Sequence, residues 1–436
     1  MFKLRILLSY LRTKYFQRFK TRDAFLRWQE KKVLKHLNWV RSRSSFYNER
    51  FDGKSSSTYR ELPFLDKAIM MTNFSRLNTV GIDREEALNL AFKAEETRDF
   101  APTLNGVTVG LSSGTSGNRG LFLVSDEERA NYIGFILAKI LPGSILHKYK
   151  VAFFMRANSN LYEAAGKSRI QFQFYDLLQP IRKNEADVNG FNPDILLAPP
   201  SMLLKLAQAQ KEGRIALKPV KIVSIAETLD PLDEKFISAV FGQKIHQVYQ
   251  CTEGFLGITC DHGTLHLNED MSQIEPYWLD EEKTKFMPVI TDFTRKSQPL
   301  IRYRLNDILT VKEEPCPCGS VLTALECIEG RMDDLIYFLD EKKERVTVFP
   351  DFLRRAMIQA HSGIETYLIR QQEEGNLTIS IQCEEALRTE VESRIREEAE
   401  KLSERVSAQM PGLTFSKEFP EIAGKKLRRV VQELRS

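Results

Sequence analysis

No apolar run in the 436-residue sequence approaches the ~20 residues needed to span a bilayer. The first residues, Met1-Phe2-Lys3-Leu4-Arg5-Ile6-Leu7-Leu8, have too short an apolar core and no small-residue cleavage site, so no secretory signal peptide is expected. Six cysteines in so long a chain do not make a disulfide framework, and a reduced, cytoplasmic protein fits that usage. Charge of one sign is scarce too. The 63 basic and 59 acidic residues leave a net +4, which gives no footprint for a nucleic-acid partner. Internal repeats and low-complexity segments are absent. What is present is ordinary globular composition, 42% hydrophobic and 28% charged, long enough for two or three domains.

The most informative stretch is Ser112-Ser113-Gly114-Thr115-Ser116-Gly117-Asn118-Arg119-Gly120, flanked by the apolar, β-branched runs 107–111 and 121–124. It reads as a glycine- and hydroxyl-rich loop between two strands. Glycines let backbone approach a ligand, successive N–H groups form anion nests, and hydroxyls add donors. By itself the loop reads first as a polar hairpin turn. It is not a Walker loop, because a strand follows it and Gly-Lys-Ser/Thr is missing.

Residues 1 to about 60 carry helical periodicity, with Phe25, Leu26, Trp28, Val33, Leu34, Leu37 and Val40 recurring at three and four. Lys3, Arg5, Arg12, Lys14, Arg18, Lys20 and Arg22 precede the first acid, Asp23. A basic amphipathic helix can rest on an anionic membrane, but charged residues normally cover the outside of such helices. The basic face is therefore read as solvated surface.

Beyond the loop, the apolar runs 151–155, 194–198, 221–225 and 245–249 alternate with the helix-like segments 201–211 and 231–241. Strands apolar on both faces, alternating with helices, predict a mainly parallel, helix-covered sheet. Ligands in such sheets bind beyond the strands' carboxyl ends. Ala226-Glu227-Thr228 and Gln250-Cys251-Thr252-Glu253-Gly254 fall at two such ends, and each is equally a helix-start signal. From 257 to 312 short strands and turns dominate, ending in Arg302-Tyr303-Arg304-Leu305-Asn306-Asp307. Asp307 is placed to accept two hydroxyls, or to make a plain Asx turn. Cys316-Pro317-Cys318 and Cys260-Asp261-His262-Gly263-Thr264-Leu265-His266 supply zinc-type ligands if they meet in space. Cys260, His266, Cys316 and Cys318 make the favoured set, with His262 as competitor; otherwise these are surface turns with free thiols. From 331 onward the pattern is strand, helix, hairpin, helix.

Taken in order, Ser-Ser-Gly-Thr-Ser-Gly, Ala-Glu-Thr, Tyr-x-x-Thr-Glu-Gly, Arg-Tyr-Arg-x-x-Asp, Gly-Arg-x-Asp-Asp-x-Ile and Gly-Lys-x-x-Arg span about three quarters of the chain. This series resembles the adenylate-forming superfamily of acyl-CoA synthetases, adenylation domains and luciferases, and most of all its phenylacetate-CoA ligase-like branch. The resemblance implies an α/β fold: a helical segment over 1–95, an adenylate-forming core over 96–330, and a small mobile α+β domain over 331–436. It implies ATP and magnesium as cofactors, a carboxylic acid as substrate, and CoA or a carrier-protein phosphopantetheine as acceptor. Ser112, Ser113, Gly114, Thr115, Ser116 and Gly117 match the loop that closes over ATP. Glu227 matches the start of the adenine segment. Tyr249 matches a residue near adenine or the acyl pocket, Thr252 a phosphate-binding threonine and Glu253 the magnesium ligand. Asp307 matches the ribose aspartate, Arg331 an arginine on ribose or phosphate, Asp333 the hinge, and Lys425 the lysine that the small domain delivers. Arg119 stands near the family's usual cation, and Asn306 replaces a glycine whose left-handed conformation asparagine tolerates. Phe153, Phe154, Phe172, Phe174 and Tyr175 lean toward an aryl or arylalkanoic acid, although alternate residues of a strand must be core. The alternative activity is transfer of AMP itself to a small acceptor.

Overall fold

The computed structural model describes residues 1–97, 99–112, 119–155, 169–419 and 428–434. The expected buried strands form one half of a large sheet, in the order Ile170–Asp176, Tyr149–Met155, Ile195–Ala198, Lys221–Ser224, Ile245–Cys251, every neighbouring pair parallel. Helices Pro200–Lys211 and Pro231–Phe241 supply two crossovers, as parallel pairing requires. Each helix begins with proline, whose missing N–H is harmless there. Alternation then assigns the faces. Val151, Phe153, Ile195, Leu197 and Val223 pack with Ile133, Leu137 and Ile140 of helix Asp126–Ile140. Ala152, Phe154, Leu196, Ala198 and Ile222 pack on the other face with Met202, Leu203, Leu206 and Ile237. Each such large apolar side chain contributes about 1.5–3 kcal/mol on burial.

The sheet is parallel only in this half. Past Ile245–Cys251 it continues through Gly254–Thr259, Leu265–Leu267, Ala324–Arg331, Asp307–Val311, Lys285–Asp292 and Ser272–Trp278, all antiparallel to their neighbours. The connection from Cys251 to Gly254 is far too short for a crossover, so the chain must turn back on itself there. The expectation of a mainly parallel sheet therefore holds on one side of strand Ile245–Cys251, and the short strands read over 257–312 build the other. A separate three-stranded sheet holds Thr103–Leu104, Val107–Leu111 and Leu121–Ser125, the last two forming a hairpin with Leu111 opposite Leu121. The two flanks of the glycine-rich loop are thus strands, as expected.

Helix Arg22–Arg41 starts at Thr21, whose side chain accepts from Ala24 N. It buries Val33, Leu37 and Val40 against the antiparallel half, and Phe25 beside Phe19 and Trp28. The large sheet ends with Arg331, and a separate cluster begins at Ile336. It joins hairpin Ile336–Leu339/Arg345–Val348, helices Pro350–Ala360 and Arg388–Arg405, and a four-stranded sheet around Thr366–Glu373 and Asn376–Gln382. Two buried polar contacts join this unit to helix Pro231–Phe241: Tyr367 donates to Asp230 at 2.6 Å, and Arg429 pairs with Asp233 at 2.5 Å. Burial raises the Asp233 carboxyl to about 6, against the opposing pull of Arg429. Among the described residues no helix is long and apolar enough to cross a membrane.

Candidate functional site

Thr252 and Glu253 form the two-residue tip of the hairpin at which the sheet changes from parallel to antiparallel. Neither starts a helix. A register shift between Tyr249 and Gln250 bends the strand just before them. Arg295 holds the tip from below, its Nη1 donating to both the Thr252 and Glu253 carbonyls at 3.0 Å. The Glu253 carboxylate accepts from the Tyr303 hydroxyl at 3.0 Å. Burial, with the neighbouring carboxylates of Glu253 and Asp307, pushes the Cys251 thiol far up, so it stays protonated and inert.

Asp307 lies directly across the ladder from Arg331, whose Nε is 3.4 Å from Oδ1. The Tyr249 phenol donates to Asp307 Oδ2 at 2.7 Å. Burial first, and the Asp307 charge second, raise that phenol well above its ordinary range, which keeps it a donor. Asn306 is not among the described residues with positive φ; the left-handed residue of this segment is Arg302, at φ 50°. The Asn306 side chain instead donates to Asp333 at 2.9 Å, tying the turn Met332–Asp334 to the start of the Asp307 strand. Arg428 pairs with Asp334 in the same turn.

At the base of the glycine-rich loop, Ser112 N bonds Gly120 O and Gly120 N bonds Ser112 Oγ, both at 2.8 Å. Ser113, Gly114, Thr115, Ser116 and Gly117 lie outside the described residues, as does Lys425. The Arg119 guanidinium pairs with Glu95 and bonds the Ser112 carbonyl at 3.1 Å. A second cation at this edge, Lys67, donates to Ser112 Oγ at 3.1 Å. Burial lowers its amine, opposed by the Glu253 carboxylate and assisted by Arg331 and Arg119, so Lys67 lies within the field of the whole cluster.

The segment 292–298 joins the hairpin to the Thr252–Glu253 tip. Arg295 clamps the tip, and Gln298 bonds Leu123 N and Leu121 O at 3.0 Å each. Glu128 caps helix Asp126–Ile140 and accepts from the backbone N–H groups of Lys296 and Ser297 and from the Ser297 hydroxyl. Arg295 and Lys67 carry no motif and escaped the sequence reading, and Tyr303 was given no role there. For Tyr303 a signal existed, since it stands in the same run as Asp307.

Glu227 follows strand Lys221–Ser224, and its carboxylate accepts from Ser201 N at 3.2 Å, at the start of helix Pro200–Lys211. The preceding Ala226 has φ 67°, and Glu227 N bonds Ile225 O at 2.8 Å, which makes a rare, strained γ-turn. That strain sits at a strand's carboxyl end, where sheets of this class bind ligands.

Away from this cluster, Cys260, His266, Cys316 and Cys318 converge, their ligand atoms all within 4.8 Å of one another. Cys260 Sγ and Cys316 Sγ are 3.6 Å apart, and Cys318 Sγ lies 3.3 Å from His266 Nε2. A tetrahedral zinc with Zn–S of about 2.3 Å sets two sulfurs about 3.8 Å apart, so the cage has the right size. His266 Nδ1 faces the Leu322 carbonyl at 3.1 Å, which fixes the tautomer that presents Nε2 inward. His262 stands outside the cluster.

The aromatic run divides between faces. Phe154 stacks on Tyr175 at 4.5 Å in the core, while Phe153 and Phe172 border an apolar gap of about 30 Å³ beside helix Asp126–Ile140. Phe174 lines a separate polar groove at the sheet edge. The gap holds little more than a water and cannot take an organic acid.

No family model matches the chain. It is 25% identical over 232 residues to indoleacetate–lysine synthetase of Pseudomonas savastanoi, covering 50% of this chain and 58% of that protein. It is 22% identical over 206 residues to phenylacetate-coenzyme A ligase of Thermus thermophilus, 44% of each. The chain thus spans about half the length of the curated relatives it matches. A crystal structure of 2-hydroxyisobutyryl-CoA ligase in the postadenylation state superimposes with TM-score 0.68 at 16% identity, over 93% of this chain and 88% of that one. The same ligase in its thioesterification state gives 0.54 at 15% identity, over 98% and 93%. Likeness at this level of identity establishes the fold.

Proposed function

On the premise that this chain carries the fold of the adenylate-forming CoA ligases and shares sequence with a phenylacetate-coenzyme A ligase, we propose that it activates a carboxylic acid with ATP and passes the acyl group to a thiol. In the first step a carboxylate oxygen attacks the α-phosphorus of ATP and the bond to the departing pyrophosphate breaks. In the second, the thiol sulfur attacks the acyl carbonyl and AMP leaves. The observation that carries the reading is the convergence at the sheet's seam. Segment 292–298 ties the Thr252–Glu253 tip to the glycine-rich hairpin, and the strand that leads into the tip carries Tyr249, which bonds Asp307 opposite Arg331.

Each residue then has a job suited to its chemistry. Asp307, held by Tyr249 and Arg331, accepts the ribose hydroxyls. Thr252 donates to a phosphate oxygen and Glu253 offers a carboxylate to magnesium, a fit that its half-buried position at a hairpin tip supports. Magnesium would neutralise charge on the phosphates. Loop 112–120 and Lys67 add donors to the same charge, so catalysis is positioning and electrostatics. Residues 331–436 act as a mobile unit, turning about Asp333 to bring Lys425 to the first step and withdraw it for the second. An arylacetic acid is the preferred substrate class, supported by the two relatives, whose names pair an arylacetate with lysine or with CoA. CoA is preferred over a carrier protein as the thiol source. The four-ligand cage holds a structural zinc, since four protein ligands leave no position open for chemistry. Six cysteines with no disulfide among them suit a reducing, cytoplasmic setting.

ATP–pyrophosphate exchange across a panel of carboxylic acids tests the reading. An arylacetate should support exchange, and Lys425→Ala should lower it about a hundred- to a thousandfold while sparing thioester formation from supplied acyl-adenylate. Equal loss of both half-reactions would sink the assignment. Release of free AMP separates the ligase from an enzyme that leaves AMP on its product.

A further inference from the structure

Helix Phe2–Leu11 is fixed to the body by its inner face. Ile6 and Tyr10 are buried against helix Asp126–Ile140. Gly134 permits the contact, since a Cβ there would lie 2.4 Å from the Ile6 carbonyl. The Tyr10 hydroxyl accepts from Ile145 N at 3.0 Å, and Ser9 Oγ donates to the Asn131 carbonyl at 2.7 Å. With its inner side so occupied, the helix points a second apolar side outward. Leu4 is 59% exposed, Leu8 57%, Leu7 40%, and Phe16, just beyond the helix, 78%. At about 100° per residue, Leu4 and Leu8 lie roughly 160° around the helix from Ile6 and Tyr10. By the same rotation Arg5 and Arg12 adjoin Leu4 and Leu8 on one edge, and the exposed Lys3 stands beyond Leu7 on the other side. The outer face is thus an apolar stripe with basic edges, where the sequence alone suggested a solvated basic face.

We propose that this face docks on a bilayer surface containing anionic lipid, with the helix lying in the interfacial plane. Three observations favour lipid over a protein partner. Seven basic residues precede the first acid of the chain, and of these, among the described residues, only Arg5, with Glu127, and Arg22, with Glu269, are ion-paired. A second copy of the chain, meeting face to face about a two-fold axis, would set cations against cations. The apolar stripe is narrow and bordered by long basic side chains, the arrangement that sinks leucines among acyl chains while the cations reach headgroup phosphates. The adjoining loop adds Leu146, 66% exposed, beside His147 and Lys148.

The test is co-sedimentation of the whole chain with vesicles of phosphatidylcholine alone or with added phosphatidylserine. We expect sedimentation only with phosphatidylserine present, and release in high salt, which shortens electrostatic reach from about 8 Å to about 3 Å. Leu4→Glu with Leu8→Glu should lower the partition roughly a hundredfold, about tenfold per leucine. The near-ultraviolet circular dichroism should not change, because neither side chain is buried. Lys3→Glu with Arg12→Glu should abolish the preference for phosphatidylserine. Failure to sediment with phosphatidylserine vesicles overturns the proposal, as does wild-type sedimentation by the leucine double variant. A dimer in sedimentation velocity that the leucine double variant dissolves also overturns it, in favour of self-association. None of these readouts depends on the catalytic assignment.

Discussion

Arg295→Ala removes the side chain that, among the described residues, grips both carbonyls of the Thr252–Glu253 tip. Each bond from Nη1 is 3.0 Å long and charge-assisted, a type that contributes about 1.5–3 kcal/mol when it is lost from a dry site. The tip is half-buried, so water replaces part of the loss and the cost to stability falls to about 1–3 kcal/mol in total. The larger effect is on position. Glu253 keeps its bond to Tyr303 but loses the brace on its backbone, and a displacement of about 1 Å at a reacting centre costs roughly a hundredfold in rate. Pyrophosphate exchange in Arg295→Ala should therefore fall about ten- to a hundredfold, against a modest shift in urea midpoint. Raising magnesium should recover part of the rate, because the defect lies in presenting a carboxylate to the ion rather than in folding. Exchange within about twofold of wild type would refute the reasoning, as would a loss that magnesium does not touch and that tracks the fraction unfolded.

Two further outcomes follow from groups outside that tip. His36 is buried with its Nε2 unpartnered, and burial, aided by Lys296, lowers it to about 4. A histidine depressed below its unfolded value near 6.5 contributes stability above that pH and loses it as pH falls toward 4, so about 2 kcal/mol should vanish between pH 7 and 5. Urea unfolding of His36→Phe should show that much less acid sensitivity than wild type; equal slopes would show that His36 is not the titrating group. Cys316→Ser should remove stoichiometric zinc, measured by elemental analysis, and lower the thermal midpoint while leaving exchange near wild type in the protein that remains folded. Wild-type protein that carries no zinc would refute the cage.

The strands on either side of the glycine-rich loop were legible because turn residues bracket short apolar runs on both flanks. The parallel strands were legible because runs such as 151–155 and 221–225 are apolar on both faces. The change of sheet direction after Cys251 was not, since Thr252-Glu253-Gly254 is an equally good start for a helix; only the pairing of Tyr249 with Gly257 and Cys251 with Gly254 decides it. The residues that hold the site were hidden for a different reason. Arg295 and Lys67 act through backbone carbonyls and a serine hydroxyl, contacts made across more than forty residues of chain that leave no local pattern. Asn306 shows the converse error, a plausible conformational argument placed four residues from where the left-handed residue lies. In the first helix both faces carry apolar residues, and periodicity cannot tell which one is inward. The small residue that decides it, Gly134, stands more than a hundred positions away.

The two-residue tip at the seam sets a limit on chain length as well as on chemistry. Strand Ile245–Cys251 is locked on one side to Lys221–Ser224 and on the other to Gly254–Thr259. Because side chains alternate between faces, adding or removing a residue between Cys251 and Gly254 would slip one flank by a single position and send its inward residues outward. Tyr249 would then turn away from Asp307, or Phe255 and Ile258 would leave the core. Substitutions at Thr252 and Glu253 should leave the fold intact and lower activity, whereas a change of length at the same place leaves no register in which both halves of the sheet are satisfied. Variation in a lineage of such chains can reach the chemistry of the tip but not its size.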